Sequence, residues 1–334
     1  MIDKQLEGPV LVTGGAGYIG GQTVLCLLDL GVDVVVIDDF STGEYRPYLD
    51  RTHFYEARVH DRPFMETVLK RHDVKSVLHF AGSIQVAESI ENPLKYYENN
   101  TDGSRLLLAA AVNANVKRFI FSSTAAVYGT VKNSEPVAES VDAAPLNPYG
   151  WSKFFTERTL RDVAAAHPLQ YGILRYFNVA GADTELRHGQ FLDNPVHLIG
   201  RSIDAMCGRA GPLQVYGNSL PTPDGTGVRD YIHVCDLALA HLAVLAELEK
   251  TDNNFLLNLG YGRGHSVLDV VRCIEKHSGE KVPFEFAEAR AGEAPSVVAD
   301  ITRLGNTLDW QPEHADLDDI VRSALAWTAK QHAN

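Results

Sequence analysis

Short apolar runs alternate with longer segments in which apolar residues recur every three or four positions. The runs are rich in β-branched residues and are bounded by polar or glycine positions, as buried strands are. They lie at 9–13, 34–37, 76–80, 119–122 and 172–176. The segments between them have the spacing of helices with one buried face and lie near 18–30, 63–72, 93–114 and 148–166. This alternation predicts an α/β fold built on a doubly wound parallel sheet.

The alternation loosens after Asn178. Residues 181–194 are polar and contain glycine, and residues 217–227 concentrate proline and glycine. A further strand is predicted at 255–259, with helices near 236–248, 266–278 and 316–330. We therefore expect a first domain over 1–178 and a smaller mixed α/β region over 179–334 that is interwoven with it.

Composition narrows the partners and the compartment. Thirty Lys and Arg against 43 Asp and Glu give a net charge of −13, which disfavours binding to nucleic acid or to an anionic membrane. The amino terminus lacks an apolar leader, and no apolar run approaches the ~20 residues that cross a bilayer. The four cysteines are widely separated and show no metal-ligand spacing: Cys26, Cys207, Cys235 and Cys273. We expect a cytoplasmic protein with reduced thiols and no metal.

A glycine-rich turn follows the first predicted strand and opens the first predicted helix. Gly14, Gly17 and Gly20 allow a tight turn whose backbone can approach a pyrophosphate. The helix beginning near Tyr18 and Ile19 offers its first N–H groups to that charge. A tight turn without a ligand would carry the same glycines, but the strand before it and the helix after it favour a dinucleotide. We expect a Rossmann-like domain over 1–178.

Two carboxylates end the second predicted strand and select the dinucleotide. Asp38, with Asp39 beside it, can accept hydrogen bonds from the hydroxyls of an adenosine ribose. A 2′-phosphate would be repelled there, and no arginine immediately follows the strand to offset that repulsion. The alternative is a solvated acidic turn. The sequence favours NAD over NADP and makes 1–178 an NAD-binding domain.

A tyrosine and a lysine lie one helical turn apart. Asn147 and Pro148 are typical of a helix start, so Tyr149 and Lys153 share one face of the helix that follows. An ammonium beside a phenol stabilises the phenolate, so we expect Lys153 to lower the pKa of Tyr149 and make it a general base. An arbitrary pair at this spacing is more often an exposed surface pair.

Hydroxyl residues at a strand end change that balance. Ser122 and Thr124 follow the strand at 119–122, and ligands of doubly wound sheets lie at the carboxyl ends of the strands. A hydroxyl there can meet Tyr149 over one substrate atom. We expect His79, inside an apolar strand, to be a hydrogen-bonded core residue rather than a ligand.

These motifs together resemble the extended short-chain dehydrogenase/reductase family, and specifically its nucleotide-sugar epimerase branch. The resemblance covers nearly the whole chain. It rests on the segments 13–20, 79–82, 96–100, 121–129, 147–150, 174–178 and 224–234. The last segment, Asp-Gly-Thr-Gly before Arg229, is typical of the epimerase branch, whereas the glycine turn and the Tyr/Lys pair define only the wider family.

The resemblance implies an isomerase with bound NAD that interconverts UDP-glucose and UDP-galactose through a 4-keto intermediate. Tyr149 would take the 4-hydroxyl proton, assisted by Thr124, with Lys153 beside it. The implied cofactor contacts are Gly14, Gly17, Tyr18, Ile19, Gly20, Asp38, Asp39, Val59, Phe80, Ala81, Gly82, Asn99, Ser122, Tyr149, Lys153 and Phe177. The implied substrate contacts are Thr124, Asn178, His197, Leu198, Tyr216, Arg229, Arg290, Glu293 and Val297. A homodimer through the helices near 93–114 and 148–166 is also implied.

The chain departs from the family pattern at three places. Arg58 stands where many relatives have an aspartate that accepts from adenine; it could stack on the base, or Asp61 could substitute. Residues 82–85 lack the lysine that some relatives carry near the nicotinamide. Val297 stands where hexose-restricted relatives have tyrosine, which leads us to expect room for N-acetylhexosamine substrates.

Other reactions on the same scaffold are alternatives. A 4,6-dehydratase needs an acid and a base directly after the active-site threonine, and Ala125 and Ala126 supply neither. A pentose 4-epimerase and a UDP-glucuronate decarboxylase remain open, since both share the same first step. An NAD-sensing regulator would have no reason to retain Thr124, Tyr149 and Lys153 at reactive spacing.

Overall fold

The computed structural model describes residues 6–130, 135–190, 195–289 and 294–333. The strands are β1 (Val10–Thr13), β2 (Val34–Asp38), β3 (His53–Glu56), β4 (Ser76–His79), β5 (Arg118–Thr124), β6 (Gln170–Tyr176), β7 (Asn178–Ala180), β8 (Leu213–Tyr216), β9 (Val228–His233), β10 (Phe255–Leu259), β11 (Gly264–Ser266), β12 (Phe284–Ala287) and β13 (Ser296–Val297). The helices are α1 (Tyr18–Asp29), α2 (Arg62–Arg71), α3 (Val86–Glu91), α4 (Pro93–Tyr96), α5 (Gly103–Asn113), α6 (Pro148–Ala166), α7 (Leu198–Met206), α8 (Val234–Leu248), α9 (Val267–Ser278), α10 (Thr302–Thr307) and α11 (Leu317–His332).

Seven parallel strands form the large sheet in the order β10-β6-β5-β4-β1-β2-β3. The predicted doubly wound parallel sheet is thereby confirmed. The chain leaves β1 toward β2 and β3, then crosses to β4 on the other side of β1. The order therefore reverses between β1 and β4, and their carboxyl ends flank the crevice where such sheets hold ligands.

Side-chain alternation along the strands fills two apolar layers. Val10 and Val12 belong to the core cluster that includes α8, whereas Leu11 between them belongs to the cluster that includes α2 and α5. Every residue of β1 is buried, because helices cover both faces of the sheet. The six apolar runs predicted from the sequence all lie on strands of this sheet. β3, which was not predicted, is exposed or half-buried along its length and carries a weak apolar signal.

The second half of the chain contributes to the large sheet and also builds two smaller ones. β10 pairs with β6, and α8 packs over the same region. β9 pairs with β7, β11 and β13, and β8 pairs with β12. Among the described residues, no helix combines the length and apolarity that crossing a bilayer demands.

Candidate active site

The glycine turn after β1 is shaped by contacts that exclude side chains. Gly14 has φ +72°, and a Cβ on it would lie 2.7 Å from the amide nitrogen of Ala81. A Cβ on Gly20 would lie 2.1 Å from the carbonyl oxygen of Gly14. Gly17 caps α1 without a side-chain hydrogen bond, and the first turn holds no acidic residue. The first N–H groups of α1 are thus left to bind an anion.

Asp38 is a buried carboxylate at the end of β2. Its Oδ2 accepts from Ala16 N at 2.9 Å and its Oδ1 from Phe40 N at 2.9 Å, which fixes it beside the glycine turn. Burial raises the pKa of Asp38 above its ordinary value, against the effect of these hydrogen bonds. The side chain is held where a ribose at the end of β2 would lie.

Asp39 and Arg58 lie on the protein surface beside Asp38. Asp39 Oδ1 accepts from Ser41 N at 3.0 Å, and Arg58 Nε lies 3.8 Å from Asp39 Oδ2. Arg58 also lies 4.0 Å from Glu98, with a side chain that is 53% exposed. Asp61 caps α2 by accepting from Phe64 N at 3.1 Å, so its carboxylate already has a structural partner.

The loop after β4 lies against the glycine turn. Phe80 N and Ala81 N both donate to Thr13 O, at 3.0 and 3.1 Å. A Cβ on Gly82 would approach Asn100 Oδ1 to 3.0 Å and Lys153 Nζ to 3.5 Å. The predicted cofactor residues of β1 and β4 therefore meet at the point where the sheet order reverses.

A π-helical segment holds the same loop from the other side. Residues Tyr97–Asp102 interrupt the predicted helix between α4 and α5, and such segments often mark functional sites. Asn99 Nδ2 donates to Ser83 Oγ at 3.0 Å, and Asn100 Oδ1 accepts from Ser83 N at 2.7 Å. Asn100, which the sequence analysis missed, also donates to Ser152 Oγ on α6 at 3.0 Å. The doublet Asn99-Asn100 was the available signal, but it does not tell which amide turns inward.

Three predicted catalytic residues converge at the carboxyl end of β5. Asn147 caps α6 by accepting from Gly150 N at 2.9 Å, as predicted, and so sets the phase of the helix. Tyr149 and Thr124 are joined by a side-chain hydrogen bond. Lys153, 3% exposed, donates through Nζ to Ser122 O at 3.0 Å. Thr124 Oγ1 also accepts from Ala126 N at 3.1 Å, which orients its hydroxyl.

The electrostatics of this cluster differ from the prediction. Burial raises the pKa of Tyr149, and the Thr124 hydrogen bond lowers it by less. Burial also lowers the pKa of Lys153 to about 8. The net shift of the Tyr149 pKa is therefore upward rather than downward, because the loss of solvation disfavours its charged form. Thr124 supplies the stabilising contact instead.

Two further tyrosines border the cluster. Tyr96 is fully buried, and its ring meets that of Tyr149 edge-on at 6.4 Å. Its hydroxyl donates to Glu88 at 2.7 Å and accepts from Gln85 N at 3.0 Å. The hydroxyl of Tyr176 is hydrogen bonded to Ser122 Oγ. Neither tyrosine was singled out individually from the sequence, although each lies within a segment that carried the resemblance.

His79 is a core residue, as predicted. Its Nδ1 is 2.7 Å from Thr13 Oγ1, its Nε2 is 2.7 Å from Ser104 Oγ, and it is 1% exposed. Burial lowers its pKa to about 3, with a smaller contribution from Lys153. The imidazole is therefore neutral and ties β4 to β1 and α5.

The remaining residues predicted to contact the cofactor pack against the protein itself. Tyr18 donates through its hydroxyl to Gly181 O at 2.6 Å. Ile19 packs on the main core, and Val59 is buried in the second apolar layer. Phe177 packs against a small cluster formed by Val127, Tyr128 and Val137.

Predicted substrate residues lie on three strands of the smaller sheet formed by β7, β9, β11 and β13, called here the second sheet. Asn178 on β7 pairs with Tyr231 on β9, and Val297 on β13 pairs with Arg229 on β9. Arg229 Nη1 donates to Val228 O at 2.8 Å and to Ala294 O at 3.1 Å. The structure thus brings Asn178, Arg229 and Val297 together on neighbouring strands.

A cavity between β7, α7 and α11 joins three of the predicted substrate residues. Asn178, His197 and Leu198 line it, together with Tyr231 and Trp327. Tyr216 is 36% exposed and ends β8 on the separate two-stranded sheet. Arg290 and Glu293 lie outside the described residues.

One group of potential metal ligands is present among the described residues, at the contact of α9 with α11. Cys273 and His277 both approach Asp318 Oδ1. The ammonium of Lys276 donates to the same oxygen at 2.6 Å, so the carboxylate already has a cationic partner. We interpret the group as an ion-pair cluster between two helices.

The chain matches known proteins along most of its length. Residues 10–260 match the model of the NAD dependent epimerase/dehydratase family. The chain belongs to this family. The UDP-glucose 4-epimerase of Azospirillum brasilense is 48% identical to it over 328 residues, which are 98% of this chain and 94% of that protein.

Solved structures of similar enzymes share the fold. A UDP-glucose-4-epimerase from Stenotrophomonas maltophila, with bound NAD and formylated UDP-arabinopyranose, superposes with a TM-score of 0.94 at 37% identity, covering 98% of this chain and 100% of that one. The UDP-Glc/GlcNAc 4-epimerase of Campylobacter jejuni gives 0.85 at 37% identity, covering 97% of this chain and 99% of that one.

The residues described here fit the cofactor that the family uses. The turn after β1 has no room for side chains at Gly14 or Gly20. The uncapped start of α1 suits a pyrophosphate, and buried Asp38 suits a ribose. Lys153 has three N–H donors, and among the described residues Ser122 O is the acceptor that it reaches. Its other donors are available to a bound dinucleotide.

Proposed function

We propose that this protein is a UDP-hexose 4-epimerase that interconverts UDP-glucose and UDP-galactose through a 4-keto intermediate. The observation that carries the proposal is the convergence of Thr124, Tyr149 and Lys153 at the carboxyl end of β5. This cluster adjoins the loops that fit NAD, and the relatives with this fold are named as epimerases of nucleotide sugars. A general base, a hydroxyl and a nicotinamide over one carbon are what alcohol oxidation needs.

The residues divide the work at the sugar C4 hydroxyl. Tyr149 takes the hydroxyl proton as the alcohol is oxidised and returns it as the ketone is reduced. Thr124, at the end of β5, hydrogen bonds to the side chain of Tyr149 and keeps it oriented for proton transfer. Lys153 supplies positive charge one helical turn away, held by Ser122 O. NAD, when bound, supplies the electron acceptor and donor for this cycle, so no net redox change occurs.

Binding energy must then lie away from the reacting carbon. A sugar that presents both faces of C4 has to be held by its nucleotide end. We assign that end to the second sheet and its cavity, through Asn178, Arg229, His197 and Leu198. A guanidinium such as that of Arg229 suits bidentate binding of a diphosphate.

Incubation of the purified protein with UDP-galactose, without added coenzyme, tests the reaction. We expect UDP-glucose to form, since NAD is retained through the cycle. Tyr149→Phe should abolish nearly all turnover while keeping bound NAD. Tyr171 lies near the amino end of β6, whereas the site lies at the carboxyl ends of the strands. Tyr171→Phe is therefore the matched control and should keep full activity. No UDP-glucose from the unmodified protein would refute the proposal.

The products also separate the alternatives. A pentose 4-epimerase would convert UDP-xylose or UDP-arabinose and leave UDP-galactose unchanged. A UDP-glucuronate decarboxylase would release CO₂. The hexose reaction is favoured because the similar proteins are named UDP-glucose 4-epimerase.

A wider substrate range rests on Val297. It is half-buried on β13 beside Arg229, where a tyrosine would add a bulky ring. We propose that UDP-N-acetylglucosamine is also epimerised, as the name of the Campylobacter jejuni enzyme suggests for that protein. Val297→Tyr should remove this activity and keep the hexose reaction. Equal loss of both activities would refute the role of Val297.

We also propose a homodimer. Large apolar side chains lie exposed on and beside the predicted helices: Leu94 at 77%, Ile90 at 65% and Phe155 at 42%. Such a patch suits a second copy of the same surface. Leu94→Glu should produce monomers in sedimentation, whereas Leu30→Glu, at another exposed leucine, should not. A monomeric mass for the unmodified protein would contradict the proposal.

For the cellular setting, we propose a cytoplasmic enzyme of galactose metabolism. Its four free cysteines suit a reducing compartment. Loss of growth on galactose after deletion of its gene would support the role.

A further inference from the structure

Helix α6 carries a third polar residue in line with the two catalytic ones. Tyr149, Lys153 and Glu157 are spaced by four and therefore lie on one face of the helix. The side chain of Glu157 is 1% exposed. A carboxylate so deeply buried needs partners that compensate for its lost hydration.

Those partners lie on β5 and β6. Ser123 Oγ donates to Glu157 Oε1 at 2.5 Å. Arg175 donates to both oxygens, from Nε at 2.9 Å and from Nη2 at 2.6 Å. Ser123 and Arg175 are direct neighbours across the two strands, so Glu157 spans a single cross-strand pair.

We propose that Glu157, held by Ser123 on β5 and by its buried ion pair with Arg175 on β6, is a positioning element that sets the register of α6 against these two strands. The inference rests on the proposed function and adds residues to it. Ser123 stands between Ser122, whose carbonyl binds Lys153, and Thr124, whose hydroxyl binds Tyr149. Three successive residues of β5 thus each hold one residue of the α6 face. A bidentate pair fixes both distance and angle.

The same arginine links the helix to the substrate side. Arg175 lies over the ring of Tyr128 at 4.7 Å, and the Tyr128 hydroxyl donates to Asn258 Oδ1 at 2.6 Å. Asn258 Nδ2 donates to Val137 O at 2.7 Å, and Val137 bridges Ala299, two residues beyond Val297. The chain of contacts runs from the base-bearing helix to the segment just after β13, the strand that carries Val297.

Buried ion pairs often contribute little to stability, which makes position and stability separable. Replacing such a pair by apolar residues of similar size is often neutral or stabilising. The variant Ser123→Ala/Glu157→Leu/Arg175→Met removes all three polar groups together and leaves none of them unpaired. Arg161→Met is the matched control, since partly exposed Arg161 lies 4.0 Å from the same carboxylate.

We expect the triple variant to melt near the temperature of the unmodified protein and to keep bound NAD. Its kcat should fall by about tenfold or more with little change in KM, because none of the three residues lines the cavity assigned to the nucleotide, whereas Tyr149 and Lys153 lose their register. The limb of the pH profile that reports the base should move to higher pH. Arg161→Met should leave both kcat and the pH profile unchanged.

A readout without turnover separates this inference from the proposed function. Lys153 is almost inaccessible, so it should be acetylated slowly in the unmodified protein and at least about tenfold faster in the triple variant. If the unmodified protein fails to epimerise UDP-galactose, the function is wrong and the labelling still tests the register. A folded triple variant with kcat within twofold of the unmodified protein, or with unchanged labelling, overturns the inference.

Ser123→Ala alone decides the case if the triple variant does not fold. It cuts the link from β5 to Glu157 and keeps the ion pair. We expect kcat to fall severalfold with unchanged KM and faster labelling of Lys153. Unchanged kcat and labelling in Ser123→Ala would also overturn the inference.

Discussion

Thr124→Val tests the source of the activity of Tyr149. Valine matches the shape of threonine but cannot accept a hydrogen bond. The change removes the side-chain contact that lowers the pKa of Tyr149 and leaves burial, which raises it, in place. It also removes the acceptor for Ala126 N, which lies 3.1 Å from Oγ1 at the start of a 3₁₀ turn.

The expected size follows from the type of bond. A hydrogen bond to a charged group contributes about 1.5–3 kcal/mol, and each 1.36 kcal/mol is a factor of ten in rate. We therefore expect kcat to fall by roughly 10- to 150-fold and the base limb of the pH profile to rise by about one to two pH units. Loss of the cap at Ala126 should lower the free energy of unfolding by about 1 kcal/mol.

Steady-state turnover of UDP-galactose from pH 6 to 10, with thermal melting of each variant, measures these changes. Thr124→Ser keeps the hydroxyl and serves as the control, with kcat expected within a few-fold of the unmodified protein. If Thr124→Val retains kcat and an unshifted profile while it is folded, the hydroxyl does not support the base and the reasoning fails.

Three other changes test neighbouring parts of the structure. Asp38→Asn should release NAD, because its amide nitrogen would face one of the two backbone N–H groups that donate to Asp38. Asp33→Asn, at an exposed position just before β2, should retain NAD, and equal retention by both variants would argue against Asp38. Gly20→Ala should lower the melting temperature and NAD content, since its Cβ would meet Gly14 O at 2.1 Å, whereas Gly305→Ala, with open space in α10, should be neutral or stabilising. Burial raises the pKa of Asp230 from 3.8 to about 6, so its protonated form favours the fold below pH 3.8 and this contribution is lost as pH rises through 6. Urea denaturation between pH 4 and 7 should therefore show a steeper fall in stability for the unmodified protein than for Asp230→Asn, and parallel curves would contradict that assignment.

Six of the seven strands of the large sheet were predictable because each contains a continuous apolar run. β1, β2 and β4 are buried along their whole length and are apolar except at Thr13, Asp38, Ser76 and His79. β3 lacks that signal because all of its residues are exposed or half-buried. The short strands β11 and β13 lack it because they are only three and two residues long. Local periodicity cannot detect strands that are stabilised by their partners.

The site was predictable in its residue types more than in its electrostatics. The four-residue spacing predicted that Tyr149 and Lys153 share one face of α6, because Asn147 fixes where that helix begins. The pKa of Tyr149 depends on how deeply the pair is buried, which spacing does not encode. The inward turn of Asn100 depends on the π-helical segment, which has no clear sequence signature.

The pairing of β10 with β6 has a consequence for synthesis on the ribosome. β6 ends at Tyr176, but its neighbour begins at Phe255, so the nascent chain carries an open sheet edge while the intervening residues are translated. The apolar surface later covered by α8 is bare over the same interval. Fragments that end near residue 178 should therefore aggregate, and chaperones that shield unpaired strands should bind the growing polypeptide in that window.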